Sequence, residues 1–318
     1  MSKVYFINNL ERGQTIEEVF GINTFKQAKD RNNRPYIDLE LVDKTGTIKG
    51  KVWSDNISNI DNNALSEGSV VRIKGLVTEF NGSLQLSLYA LSLHENYDLE
   101  DFLPVTTRKI EAMWDEFLEY INSVQDKTIE QLLNALVEKY EDKIKSSPAG
   151  KSVHHNYVGG LLEHIVEMLN LSEVICKLYP EANKNIVIAG IMFHDIGKIR
   201  ELFVDGFRID YTAEGKLIGH IPLGLKIFNE IEQGVLKENT KLQIEHIILS
   251  HHYTLEFGSP VTPRTIEAVI VSKIDDLSSK VRLVQKILTN NADSNSEFAP
   301  KEFGIDGEIY LGVSEQNL

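Results

Sequence analysis

The hydrophobic pattern of this chain changes period once, and that change demands two kinds of packing in one protein. Up to about residue 95, apolar and polar residues alternate, the period of a half-buried strand. From about residue 110, apolar residues recur every three to four positions, the period of an amphipathic helix. Strands are expected at Ile16–Ala28, Tyr36–Val42, Thr47–Trp53, Ser69–Phe80 and Ser83–Leu93. Asn81-Gly82 is a tight hairpin turn between the last two. Asp55–Ser66, polar with spaced apolar residues, reads as a short helix between the third and fourth strands. Five strands with a helix at that point is the order of an oligonucleotide/oligosaccharide-binding (OB) barrel.

A stretch around residues 96–109 with Pro104 precedes the helical pattern. Helices are expected at Ile110–Val124, Thr128–Tyr140, Leu161–Leu178, Ile221–Ile231, Leu242–His252 and Thr265–Val284. Asn185–Phe193 is almost wholly apolar, which suits a buried central helix. Phe203–Leu217 reads as a small hairpin or lid, and the chain beyond Asn290 has no clear period. The organisation expected is an OB domain at 1–95, a helical connector at 96–145, an all-helical domain at 146–290 and a tail at 291–318.

Composition narrows the function classes. The 318 residues suffice for two domains with a substantial core. No apolar run nears the roughly 18 residues that span a bilayer, and the N-terminus lacks a signal-peptide core, so a cytoplasmic protein is expected. The single cysteine, Cys176, cannot form an internal disulfide and lies in an apolar helical pattern. The net charge of −14 excludes a general polyanion coat. Residues 1–100 hold 11 Lys+Arg against 14 Asp+Glu, so most of the acidity falls later, where bound cations would offset it.

The chemistry-bearing pattern is His194-Asp195-Ile196-Gly197-Lys198, with His164 before it and His220, His251, His252 and Asp275 after it. A lone histidine on a helix is usually a surface or hydrogen-bonded side chain. His194-Asp195, however, ends an apolar helix, where a buried polar pair costs several kcal/mol unless compensated. His251-His252 also ends an apolar run, and Asp275 extends the buried stripe Ile270–Ile274. Imidazole and carboxylate together suit Mn²⁺, Fe²⁺, Co²⁺ or Zn²⁺, one or two ions per chain. Such a centre hydrolyses phosphate esters. Lys198, on the side of Asp195 if the helix continues, could bind a non-bridging phosphate oxygen; its bland role is a surface lysine.

His164, His194-Asp195 and Asp275 resemble the H…HD…D signature of the HD-domain metal-dependent phosphohydrolases. His154-His155-Asn156-Tyr157-Val158-Gly159-Gly160-Leu161-Leu162-Glu163-His164, Phe193–Lys198, Gly219-His220-Ile221 and Leu249-Ser250-His251-His252 closely resemble the YhaM-type 3′→5′ exoribonucleases, in which an OB domain also precedes an HD domain. The resemblance covers most of the chain. It implies a manganese-dependent cytoplasmic exonuclease with single-stranded RNA as main substrate and single-stranded DNA as a second. It implies a first metal site at His164, His194, Asp195 and Asp275. It implies a second at His220, His251 and His252, with Asp195 bridging. His154 and His155 match a histidine pair that either faces substrate or hydrogen-bonds the helix carrying His164.

A strand-binding platform needs basic and stacking groups. Arg31 and Arg34, in the basic loop Lys26–Arg34, and the aromatics Trp53 and Phe80 are the substrate-binding candidates of the barrel; Phe25, Tyr36 and Tyr89 are further aromatics, and core packing competes for each. The runner-up function is an HD-domain phosphodiesterase or phosphohydrolase acting on a small nucleotide, which needs no strand platform. A non-catalytic adaptor is disfavoured by the complete ligand set. Several apolar helices offer surfaces for a homo-oligomer, but no coiled-coil heptad fixes one.

Overall fold

The structure, a computed structural model, describes residues 3–98, 101–103, 106, 108–151, 155–205, 207–291, 294, 296–301 and 304–312. The chain divides into two compact units, residues 1–104 with 204–208, and residues 105–203 with 209–318. Among the described residues no helix is long and apolar enough to cross a membrane.

The first unit is a closed five-stranded barrel in the order β1-β2-β3-β5-β4. The strands are β1 Thr15–Lys29, β2 Pro35–Asp43, β3 Gly46–Val52, β4 Val70–Phe80 and β5 Ser83–Leu93. Closure depends on the length of β1. Its first half, Thr15–Gly21, pairs with β4, and its second half, Gly21–Lys29, pairs with β2. The register shifts between Ile22 and Thr24, the kind of irregularity that bends a strand around a barrel corner. Alternation does the rest: Ile37, Leu39 and Leu41 of β2 point in and join Phe20, Ile22, Ile73, Leu86 and Leu88. Asn81 and Gly82 both take positive φ, as a two-residue hairpin turn requires.

One expected element is corrected. The segment 55–66 forms two short 3₁₀ turns, Ser54–Asn59 and Asn62–Ala64, instead of one helix. The cause is tertiary. Asp61 N–H donates to the Leu91 carbonyl at 2.9 Å and Ile60 bridges to Leu91, so β5 claims the backbone in mid-segment. Two turns of so polar a sequence cannot outweigh that docking.

The second unit is helical: α1 Ile110–Asn122, α2 Lys127–Ser146, α3 Gly160–Leu178, α4 Lys184–His194, α5 Lys198–Glu201, α6 Ala213–Ile218, α7 His220–Glu232, α8 Glu238–Ser250 and α9 Ile266–Asn290. A small hairpin, β6 Leu202–Asp205 and β7 Arg208–Tyr211, joins α5 to α6. Asp126 and Thr265 cap α2 and α9 through their side chains. Every residue of α4 from Ile186 to His194 is buried, so this helix is the axis of the core. Gly190 lets α8 come close; a Cβ there would lie 2.6 Å from Ile247. Met113, Trp114, Phe117, Leu132, Leu133 and Leu136 join the same core, so α1 and α2 pack as part of this unit. Cys176 is buried, as its pattern predicts. Beyond α9, Ala299 packs on Leu283 and Ile287, with Ile305, Ile309 and Leu311 against them.

Candidate metal centre

The C-terminal end of α4 is where the chemistry collects. The helix is apolar on all sides until His194, and Asp195 leaves it with non-helical backbone angles. Gly197 follows at a close crossing: a Cβ there would lie 1.9 Å from the His220 carbonyl oxygen, so only glycine admits the start of α7 to this turn. Gly219, at φ 79°, sets the entry to α7 and makes His220 its first residue. His251 and His252 follow the end of α8, His164 stands on α3, and Asp275 stands on α9.

These residues form two clusters that share Asp195. In the first, His164 Nε2 lies 3.3 Å from His194 Nε2, 3.2 Å from Asp275 Oδ1 and 3.8 Å from Asp195 Oδ2. His194 Nε2 is 3.4 Å from the same Oδ2. In the second, His220 Nε2 and His251 Nε2 each lie 3.6 Å from Asp195 Oδ1. His252 completes that group, with one ligand atom per residue and all such atoms within 4.8 Å of one another. One oxygen of Asp195 thus faces each cluster.

The proton inventory shows what the clusters lack. His194 Nδ1 lies 2.7 Å from the Ile191 carbonyl and His251 Nδ1 lies 2.8 Å from the Ile248 carbonyl. A carbonyl only accepts, so both rings carry a proton on Nδ1 and, when neutral, aim a bare Nε2 inward. His164 Nδ1 is 3.2 Å from Ser278 Oγ, whose hydroxyl donates to Glu167 at 3.2 Å. That hydroxyl has one proton, so His164 is the donor and its Nε2 is also bare. His220 Nδ1 is 3.3 Å from Glu201 Oε1, again an acceptor. Four imidazole lone pairs therefore converge on the oxygens of Asp195 and Asp275. The Nε2 atoms of His220 and His251, with Asp195 Oδ1, are buried without a hydrogen-bond partner in the protein. Buried lone pairs facing lone pairs are costly, and a divalent cation is what relieves them. The residues fit a metal.

The electrostatics agree. Burial holds His164 down to about 4 despite the help of Asp275, so the ring is neutral and ready to ligate at neutral pH. Burial likewise lowers His251. Burial opposes ionisation of Asp195, but the Lys198 ammonium and His194 outweigh it and hold the carboxyl well below its ordinary range. At His194 burial is overcome by Asp195 and Asp275, which raise its proton affinity and mark a potential that attracts cations.

Lys198 is buried, not a surface lysine, and its ammonium pairs with Asp195 Oδ2. His154 lies outside the described residues. His155 departs from a substrate contact. It is buried, with Nε2 3.3 Å from Glu167 Oε2 on the helix that carries His164. Glu167, Ser278 and Glu201 were not singled out from sequence. Ser278 stands one turn beyond Asp275, a spacing that could have revealed it. Glu201 carries no such signal, because it meets His220 only after the chain doubles back through β6 and β7.

On the barrel, Tyr36 and Trp53 have ring centroids 6.0 Å apart, with Lys51 Nζ 4.6 Å from the first and 5.0 Å from the second. β3 and β5 run parallel, and their paired register ends with Val52 opposite Leu88, one residue before Trp53 and Tyr89. Trp53 and Tyr89 are both exposed. Arg31 and Arg34 occupy the β1–β2 turn next to Tyr36, with Arg34 paired to Asp30 at 3.1 Å. Phe80 is exposed but pairs with Ser83, six residues from Tyr89 along β5 and so about 20 Å from this row. Phe80 is exposed too far along the barrel to touch Trp53.

Residues 18–95 match an OB-fold nucleic acid binding domain and residues 161–280 match the HD domain. The chain is 33% identical to the "3'-5' exoribonuclease YhaM" of Geobacillus sp. (strain WCH70), over 89% of this chain and 87% of that one. It is 32% identical to the protein of the same name from Bacillus subtilis (strain 168), over 94% and 95%. Matched along nearly its whole length, in both domains, the chain belongs to the YhaM 3′–5′ exoribonuclease family.

Proposed function

We propose that this protein is a divalent-metal-dependent 3′–5′ exoribonuclease that hydrolyses phosphodiester bonds of single-stranded RNA, and of single-stranded DNA as a second substrate. The observation that carries the reading is the convergence of bare imidazole nitrogens and carboxylate oxygens around Asp195. His164, His194, Asp195 and Asp275 would hold one ion; His220, His251, His252 and Asp195 would hold another. Mn²⁺ is the expected ion, and the mixed His/carboxylate set also accepts Co²⁺, Fe²⁺ or Zn²⁺. A cation held there supplies Lewis acidity, polarising a phosphoryl oxygen and making water a stronger acid.

The chain's own groups do the remaining work. Asp195 fixes the spacing of the two clusters by offering one oxygen to each. Lys198, with its proton affinity raised by Asp195 against the effect of burial, keeps its ammonium beside the centre. There it neutralises a non-bridging oxygen and the charge that grows in the transition state. The row Tyr36–Trp53–Tyr89, with Lys51 and the arginines of the β1–β2 turn, suits bases stacked along a single strand. A free nucleotide needs no such row, which favours the polymer over a small nucleotide. A cytoplasmic location is the expectation for this protein.

The test is direct. RNA, single-stranded DNA and a cyclic dinucleotide, each labelled, are incubated with the protein and Mn²⁺. RNA labelled at its 5′ end should shorten stepwise, and chelation should stop it. Turnover of the cyclic dinucleotide with RNA left intact would overturn the reading.

A further inference from the structure

We propose that Glu201 is the positioning residue for His220, and through it governs cation binding at the second cluster; this rests on the two-cluster reading above. The argument begins with helix geometry. His194 and His251 fix their rings locally, each against the carbonyl three residues earlier on its own helix. His164, mid-helix, uses Ser278 of α9. His220 has neither resource. As the first residue of α7 it has no preceding turn, and Gly219 before it meets nothing within 4 Å of a Cβ position. Its ring is 16% exposed, where His164, His194 and His251 are at 0%. Packing alone leaves it the freest of the four.

Glu201 supplies what the helix start cannot. A single oxygen, Oε1, accepts the His220 backbone N–H at 3.0 Å and lies 3.3 Å from Nδ1. It fixes the residue at both ends, holds the proton on Nδ1 and makes Nε2 a stronger donor to a cation. Glu201 is itself immobilised. It is buried, its carbonyl accepts Thr212 N–H at 2.9 Å, and Gly215 lies so close that a Cβ would sit 2.2 Å from that carbonyl oxygen. Thr212 is anchored in turn by its hydroxyl, which donates to the Arg200 carbonyl at 2.7 Å. The short helix α5 thus carries Lys198 toward Asp195 at one end and the support of His220 at the other.

The experiment titrates full-length protein with Mn²⁺ alone, by calorimetry, for wild type, Glu201→Ala, Glu201→Gln, His220→Ala and Glu201→Ala/His220→Ala. The ion whose affinity falls in His220→Ala defines the second cluster. Glu201→Ala should weaken that ion 10- to 100-fold and leave the other within about threefold. Glu201→Gln, whose amide oxygen still accepts both N–H groups, should recover part of the loss. The double variant should be no weaker than His220→Ala, because the effect passes through the ring. Nitrogen NMR of the metal-free protein adds a second readout: His220 should be protonated at Nδ1 in wild type and a tautomer mixture in Glu201→Ala. Unchanged tautomer and affinity, or additive losses in the double variant, would overturn the role of Glu201 while leaving the proposed function standing. A wild type that binds no Mn²⁺ would overturn both.

Discussion

The two units hold their candidate functional groups in opposite ways. In the helical unit they are buried and mutually dependent: His164, His194 and His251 are fully enclosed, and one carboxylate lies between two clusters. In the barrel Trp53, Tyr89 and Phe80 are exposed, with the core behind them packed by other residues altogether. A buried polar cluster is all-or-none, because each member is desolvated for the sake of the others. An exposed row is cumulative, because each ring can stack one base independently. Depth, more than chemistry, separates a centre that fails whole from a surface that weakens by degrees.

The largest effect should come at Asp195. Asp195→Asn keeps the size of the side chain but removes the charge that both clusters share, and turnover of RNA should fall more than about a thousandfold. Circular dichroism should still report a folded helical unit. Wild-type turnover in this variant would break the contrast at its deeper end.

Next in size is pH. Burial holds both His155 and His164 to about 4, whereas an unfolded histidine titrates near 6.5. At these two positions the unfolded chain therefore binds more protons between those values, and their contribution to stability drops as pH falls from about 6.5 toward 4 and levels off above about 7. With each ring buried, the loss by pH 5 is on the order of 2 kcal/mol per histidine. Urea denaturation of chelator-treated protein measures it. A stability that stays flat from pH 7.5 to 5 would mean that these rings are not desolvated as described.

The barrel should yield smaller, separable losses. Trp53→Ala and Tyr89→Ala should each weaken single-stranded RNA by about 1–3 kcal/mol, and the pair by roughly the sum. Cleavage of a dinucleotide should be unchanged in both. A collapse of dinucleotide cleavage would show that the row belongs to the chemistry and not to the grip. Smallest of all is Phe80→Ala. Set far along β5 from Trp53, it should change affinity for a short strand less than twofold. A loss equal to that of Trp53→Ala would redraw the platform.

Much of this was legible before any coordinates, and the two units differ here too. The change of period exposed the barrel and the helices because half-buried elements write their geometry into the chain. His194-Asp195 at the end of an apolar helix was conspicuous because a buried polar pair needs a reason. The unreadable parts depend on contacts between distant segments. Glu201 reaches His220 only through the hairpin β6–β7, and Tyr89 and Trp53 come to the ends of the same register only because β3 and β5 pair in parallel. Residues 55–66 had the spacing of a helix and lost it to a hydrogen bond with Leu91. Phe80 looked equivalent to Trp53 because exposure can be inferred locally, whereas neighbourhood cannot.

The division of Asp195 between two clusters has a thermodynamic consequence. Two cations held by one carboxylate would not bind independently: each would draw electron density that the other would use, and each would also organise the shared side chain for the other. The net coupling is a single free energy, so whatever factor the first ion imposes on the second, the second must impose on the first. Occupancy of the pair is then a steep or a shallow function of metal concentration according to the sign of that one number. With both clusters occupied, activity would read the metal supply as well as the RNA present.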